Sequence, residues 1–238
     1  MSTILAIETS SEVASCALKN GDHVIARSTS GVRTHSQSVL PMVQELLREA
    51  GLRLADCDAI AFGAGPGSFT GVRTACGVAQ GLAFGANLPV LPLVTLEAMA
   101  EACRARTGAG EVLAVLDARM GEVYWAQYRH DPARGAWTEV AAPALCAPQD
   151  LQPLPAAGLA ACGNGFSAYP EAFAGKAFAQ GALHDILPHA RELALLGAPA
   201  LAAGLAVPPA QAQPLYLRNK VAYTSAERQA INAAKAEA

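Results

Sequence analysis

The sequence predicts a mixed α/β fold built as two related lobes, each with its own central sheet. Three observations carry this expectation. Over the first half, short apolar runs and helical patterns follow one another as β-β-β-α-β-α-β-α, an order that wraps helices around a sheet. Leu113-Ala114-Val115-Leu116-Asp117 lines up with Ile4-Leu5-Ala6-Ile7-Glu8 at an offset of 109, and each run ends in a carboxylate before turning into a hairpin. The chain has 238 residues, enough for two halves of about 110 residues each.

Thr3 to Ile7 is continuously apolar and too short for a helix, so it reads as a buried strand. Glu8 to Glu12 is a polar turn. Ala14 to Leu18 and Val24 to Ser28 are strands separated by the tight turn Asn20-Gly21-Asp22, completing a three-stranded meander. Ser36 to Ala50 places Val39, Leu40, Val43, Leu46 and Leu47 on one helical face, with Gly51 as its stop. Asp58 to Phe62 is a strand, Thr70 to Phe84 a helix, Pro89 to Leu93 a strand and Thr95 to Arg106 a helix. The second half opens with a strand from Glu111 to Leu116, the turn Asp117 to Gly121 and a strand from Glu122 to Tyr128. Ala141 to Pro155 is irregular. A strand at Leu159 to Cys162, the turn Gly163-Asn164-Gly165 and a helix from His189 to Gly204 follow. The lobes are expected at 1–106 and 107–225, with a polar tail over 226–238.

Composition excludes several classes. Hydrophobic residues make up 52% and charged residues 16%, which suits a sizeable core. Net charge is −3 and no Lys/Arg cluster occurs, so direct nucleic-acid binding by this chain is not expected. The six cysteines form no C-x-x-C pair and read as small buried hydrophobes. No apolar run is expected to reach the roughly 18 residues that a membrane span needs. Met1-Ser2-Thr3 leads straight into a strand without a basic segment, and a cytoplasmic location is expected.

The segment Gly63-Ala64-Gly65-Pro66-Gly67-Ser68-Phe69-Thr70-Gly71-Val72-Arg73 joins a strand to a helix through a glycine loop. One reading is an anion cradle, because backbone N–H groups gather at a helix N-terminus where the macrodipole favours negative charge. The other is a tight turn with a close helix–strand contact. The loop lacks the Gly-Lys-Ser/Thr ending of a Walker A loop and is not a complete G-x-G-x-x-G. In the helix that follows, Gly77, Gly81 and Gly85 recur every fourth residue. Each costs about 1 kcal/mol relative to alanine, so close backbone approach is implied, either to the chain's own sheet or to a partner.

Ile4 to Ser10, Gly63 to Arg73, Leu116-Asp117-Ala118-Arg119 and Pro214-Leu215-Tyr216-Leu217-Arg218 together resemble the TsaB (YeaZ) family, in the family's order and over residues 3 to about 225. That family supplies the dimerisation subunit for making threonylcarbamoyladenosine (t6A) at position 37 of tRNA. The resemblance implies the actin-like ATPase (ASKHA, duplicated ribonuclease-H-like) fold. It implies a scaffold, not a catalyst: a TsaD-like subunit carries the transferase site, a TsaE-like ATPase docks nearby, and tRNA is met only through the complex. No catalytic residue and no metal ligand are expected in this chain. The TsaD-like relatives hold metal through two histidines spaced i, i+4 on the first helix, whereas His35 is followed by Ser36-Gln37-Ser38-Val39. The isolated chain is expected to hold no cofactor, with ATP or ADP and metal entering through partners. Glu8, Thr9, Ser10, Gly65, Gly67, Ser68, Asp117 and Arg119 would form a vestigial nucleotide or anion cleft. The resemblance places the partner interface on the first two helices, at Val39, Met42, Val43, Leu46, Arg73, Gly77 and Gly81. It leaves open a homodimer of the free chain. The rival reading is a stand-alone actin-like phosphotransferase or a glycoprotease-like metallopeptidase.

Overall fold

A computed structural model describes residues 2–30 and 35–218; the expected tail at 226–238 lies outside the described residues. The first sheet contains β1 (Thr3–Glu8), β2 (Val13–Asn20), β3 (His23–Ser30), β4 (Ala59–Gly65) and β5 (Val90–Val94) in the order β3-β2-β1-β4-β5. The second contains β6 (Glu111–Arg119), β7 (Glu122–Asp131), β8 (Ala136–Cys146) and β9 (Leu159–Cys162) in the order β8-β7-β6-β9. β1 pairs antiparallel with β2 and parallel with β4; β6 pairs antiparallel with β7 and parallel with β9. The two strands aligned at an offset of 109 thus occupy the same place in two sheets of one topology.

β1 shows why the apolar run is continuous. Side chains alternate between the two faces of a strand, and here both faces are covered. Leu5 and Ile7 join Cys16, Leu18, Ile60 and Phe62 under α1 (His35–Ala50) and α2 (Phe69–Ala86). Ile4 and Ala6 join Ala17, Ala59, Ala61 and Leu91 under α6 (Ala190–Ala202). The α6 N-terminus is tied to the same sheet, because the Ala190 N–H donates to the buried Ser15 Oγ at 2.9 Å. This departs from the lobe boundary expected at residue 106: α6 comes from the second half of the chain and packs on the first sheet. Its Leu193, Leu196 and Ala200 supply the apolar face that the inner side of that sheet needs.

β8 is the other departure. Ala141 to Pro155 was expected to be irregular, yet residues 136–146 form a strand on β7 with register shifts near Trp125 and Gln127. Pro143 is tolerated because β8 is an edge strand, where a missing donor leaves no ladder bond unmade. The short helices α4 (Gly165–Ala168) and α5 (Pro170–Phe173) follow β9. Among the described residues, no helix is long and apolar enough to cross a membrane.

α3 (Thr95–Thr107) lies between the sheets. Ala98 packs with the first sheet, while Leu96, Met99, Ala100 and Cys103 pack against the second. Its Glu101 accepts a 2.8 Å hydrogen bond from Trp137 Nε1 of β8. Glu97 is largely buried, and burial, followed by the charges of Glu139 and Glu101, pushes its pKa up to about 7 from 4.5. A carboxyl with a raised folded pKa keeps its proton in the native state after the unfolded chain has released it. Stability is therefore full below about pH 4.5 and is lost as pH rises through about 7, by up to about 3 kcal/mol. Glu97→Gln should remove this slope. Urea midpoints at pH 5 and pH 8 should converge in the variant and differ in the wild type; equal slopes in both proteins would count against the assignment.

Candidate functional site

A cleft of about 400 Å³ opens between the lobes. Ser10, Gly67, Ser68 and Phe69 wall it from the first lobe, and Asp117, Arg119, Tyr124 and Asn164 from the second. Leu215 to Arg218 cross between these walls. Five of the eight residues expected here, Ser10, Gly67, Ser68, Asp117 and Arg119, line it. The other three do not.

Glu8, Thr9 and Gly65 are buried behind the wall. The Glu8 carboxylate is fully buried beneath Gly63 and accepts from the Ser10 N–H at 2.6 Å. Burial pushes its pKa up, outweighing the hydrogen bonds from Ser10, Thr9 and Thr95. A carboxyl in this position braces the turn and is walled off from a ligand in the cleft.

The glycine loop is built around that turn. A Cβ on Gly63 would lie 1.9 Å from Glu8 Oε2, and one on Gly71 would lie 1.9 Å from the Thr9 carbonyl oxygen. The Ser68 N–H donates to the Ser10 carbonyl at 2.7 Å, and the Thr9 hydroxyl donates to the Gly71 carbonyl at 2.7 Å. Ser68 also caps α2, its Oγ accepting from the Gly71 N–H at 3.4 Å. The Ser68 and Gly71 N–H groups are thus engaged by the chain itself, while the buried Ser10 Oγ opposite them has no hydrogen-bond partner among the described residues. Of the two sequence readings, close helix–strand contact describes this geometry.

Asp117 is similarly occupied. Its carboxylate accepts from the Arg119 N–H at 2.8 Å and the Tyr169 hydroxyl at 3.0 Å, and pairs with the Arg119 guanidinium at 3.0 Å. Its own N–H donates to Asn164 Oδ1 at 2.9 Å. These bonds shape the β6–β7 turn, where Arg119, Met120 and Gly121 all take left-handed backbone angles. Among the described residues, no three His, Cys, Asp or Glu side chains converge as metal ligands.

The docking face requires a correction. Val39, Met42, Val43 and Leu46, expected to face a partner, are buried in this chain's own core against β1, β2 and β4. They lie on the side of α1 that faces the sheet, and the sheet beneath claims them. The outer side of α1 instead presents Gln37, Leu40, Pro41, Gln44 and Arg48. On α2 the outcome is the opposite: Arg73, Gly77 and Gly81 are exposed, with Phe84 and Gly85 extending the stripe. A Cβ on Gly77, Gly81 or Gly85 would meet nothing within 4 Å. Ala75, Ala79 and Ala83, on the other side of the helix, are the residues that touch the sheet.

Sequence reasoning missed Phe69, Tyr216 and Arg218 as site residues, although all three sat within quoted motifs. Arg218 donates to the Ala118 carbonyl at 2.8 Å, the Arg119 carbonyl at 3.1 Å and Glu122 Oε2 at 2.5 Å. The signal available was an arginine closing an apolar run; its acceptors lie about 100 residues away, and no local pattern names them.

Comparison with known proteins agrees with this geometry. The family model described as "TsaD: tRNA N6-adenosine threonylcarbamoyltransferase" matches residues 20–225. The tRNA threonylcarbamoyladenosine biosynthesis protein TsaB of Escherichia coli is 41% identical over 224 residues, covering 92% of this chain and 96% of that protein. Its Haemophilus influenzae counterpart is 38% identical, covering 93% and 95%. The solved structure of YeaZ from Pseudomonas aeruginosa is 42% identical with a TM-score of 0.84, covering 91% of this chain and all of that one.

The two kinds of glycine should respond differently to one methyl group. Gly71→Ala forces a carbon into the Thr9 carbonyl and should destabilise the chain by at least about 1–3 kcal/mol. Gly77→Ala meets open space and should stabilise it by up to about 1 kcal/mol through helix propensity. Thermal melts of the two variants should move in opposite directions; a shared direction would contradict the packing described here.

Proposed function

The chain belongs to the TsaB family, and from that premise we propose that it serves as a docking subunit in tRNA threonylcarbamoyladenosine synthesis, holding a TsaD-like transferase through the outer face of α2. It has the actin-like, duplicated ribonuclease-H-like fold of that family. One observation carries the docking reading: a stripe of glycines on α2 that nothing among the described residues covers. Interior glycines weaken a helix, and an open stripe of them lets a second helix approach to backbone contact. Phe84, 83% exposed at one end of the stripe, and Leu40, 45% exposed on the neighbouring α1, add apolar area that a partner would cover.

On this reading the complex, not this chain, transfers the threonylcarbamoyl group from its adenylate to N6 of adenosine 37. Any ATP, ADP or metal enters with the partners, and a TsaE-like ATPase docks beside the junction. A second copy of the chain would use the same face when the transferase is absent. The place of action is the cytoplasm. The enzyme-class rivals gain no support from the cleft, where Glu8 is walled off and Asp117 is spent on its own turn.

Gly77→Leu and Gly81→Leu test the docking face. Both side chains point into open space, so the melting temperature of the free chain should hold or rise slightly. Overpacking a tight contact costs about 1–3 kcal/mol, which weakens affinity for the TsaD-like subunit roughly 5- to 150-fold. Undiminished affinity in both variants would refute the assignment.

The cleft is tested separately. Glu8→Gln and Asp117→Asn keep side-chain volume and most hydrogen bonds, and the reconstituted complex should retain most of its tRNA modification. Loss of activity with assembly intact would make the cleft catalytic.

A further inference from the structure

Residues 209–218 run alongside α2 and then cross to the second lobe. Gln80 Nε2 donates to the carbonyls of Pro209 and Ala212, both at 3.1 Å. The Leu215 N–H donates to the Ala64 carbonyl at the end of β4 at 2.7 Å. Tyr216 then meets the first turns of α2: its hydroxyl accepts from Arg73 Nε at 2.7 Å, and its ring lies 6.0 Å from that of Phe69. The Arg73 guanidinium itself sits 3.6 Å over the Phe69 ring. Two residues later, Arg218 reaches the β6–β7 turn of the second lobe and holds two of its carbonyls and Glu122.

Arg73 belongs to both systems. It stands one turn before Gly77 on the exposed stripe, and it holds Tyr216. A partner seated on the stripe would therefore press on the residue that anchors the crossing segment. We infer that Pro214–Arg218 is a strap, with Tyr216 and Arg218 as positioning residues, through which a partner on α2 sets the second lobe's β6–β7 turn against the cleft. The inference rests on the docking reading for its partner, but the mechanical link belongs to the chain alone.

The chemistry suits a strap better than a general packing contact. Arg218 engages three oxygen acceptors with a planar, forked group, a pattern that lysine cannot reproduce. The turn it holds is in left-handed conformation at three successive residues, which presents the carbonyls of Ala118 and Arg119 to one guanidinium. The aromatic and cation–π contacts at the other end fix Tyr216 by its ring as well as its hydroxyl.

Hydrogen exchange on the full chain decides the matter in two arms. In the free chain, Tyr216→Ala removes the side-chain anchor on α2, leaving the Leu215–Ala64 backbone bond and the residues of the β6–β7 turn in place. Exchange across 117–123 should nevertheless rise about fivefold, the equivalent of one lost hydrogen bond. Tyr216→Phe, which keeps the ring and loses the hydroxyl, should fall between wild type and Tyr216→Ala. Arg218→Lys should resemble Arg218→Ala. Urea midpoints of every variant separate this local change from global destabilisation. If Arg218→Ala speeds exchange at 117–123 and Tyr216→Ala does not, Arg218 is a local clamp and the strap is refuted.

In the second arm the TsaD-like subunit is added. Protection of α2 reports docking, and further protection of 117–123 reports transmission. Protected α2 with an unchanged turn overturns the strap and leaves docking intact. An unprotected α2 overturns docking and, with it, the partner's role, while the free-chain arm still decides the mechanical link.

Discussion

Backbone contact between the β1–β2 turn and the start of α2 is the constraint on which the rest of the structure depends. Gly67 and Gly71 are the points where a single methyl group would come within 2.7 Å of the Ser10 carbonyl oxygen and 1.9 Å of the Thr9 carbonyl oxygen. Because the two segments touch through their main chains, α2 can leave β4 in only one direction. That direction lays Ala75, Ala79 and Ala83 on the sheet and turns Gly77, Gly81 and Gly85 outward. The open stripe is thus a consequence of a contact made roughly two to four turns earlier in the helix.

The same contact decides what the cleft can do. An actin-like site that handles phosphate needs acidic groups facing the metal and free amides facing the anion. Here the Ser68 N–H is spent on the Ser10 carbonyl, and the Glu8 carboxyl lies behind the loop in surroundings that favour its protonated form. On the opposite wall, Asp117 is fully engaged in holding a left-handed turn. Groups with the right chemical identity are present in the right lobes. The carboxyls of Glu8 and Asp117 and the Ser68 N–H are committed to the fold, while the buried Ser10 Oγ has no partner among the described residues.

This explains which parts were legible in sequence. Strands such as Thr3–Glu8 and Glu111–Arg119 announce themselves because burial on both faces demands unbroken apolar runs, and the repeat between them revealed the duplicated architecture. β8 was hidden because its alanines and Pro143 carry little strand propensity; only pairing with β7 makes it a strand. Placement of α6 on the first sheet was equally invisible, since periodicity tells which side of a helix is apolar but not which sheet receives it. The error over Val39, Met42, Val43 and Leu46 has the same root. An apolar stripe on α1 was assigned to a partner when the chain's own sheet had the prior claim.

The glycines show where such ambiguity can be resolved by physical argument. In a helix packed on a sheet, the side that touches the sheet must carry side chains small enough to fit yet apolar enough to exclude water. On α2 alanine fills that role. On that side glycine occurs only at Gly71, where the Thr9 carbonyl leaves no room for a Cβ, whereas the glycines on the other side meet nothing among the described residues. They weaken the helix there without improving any contact among those residues. A feature that costs the free chain stability and meets nothing among the described residues points outward. The arginine that begins this stripe is also the residue that grips Tyr216. The surface that the monomer leaves uncovered and the segment that spans its cleft therefore meet at a single side chain.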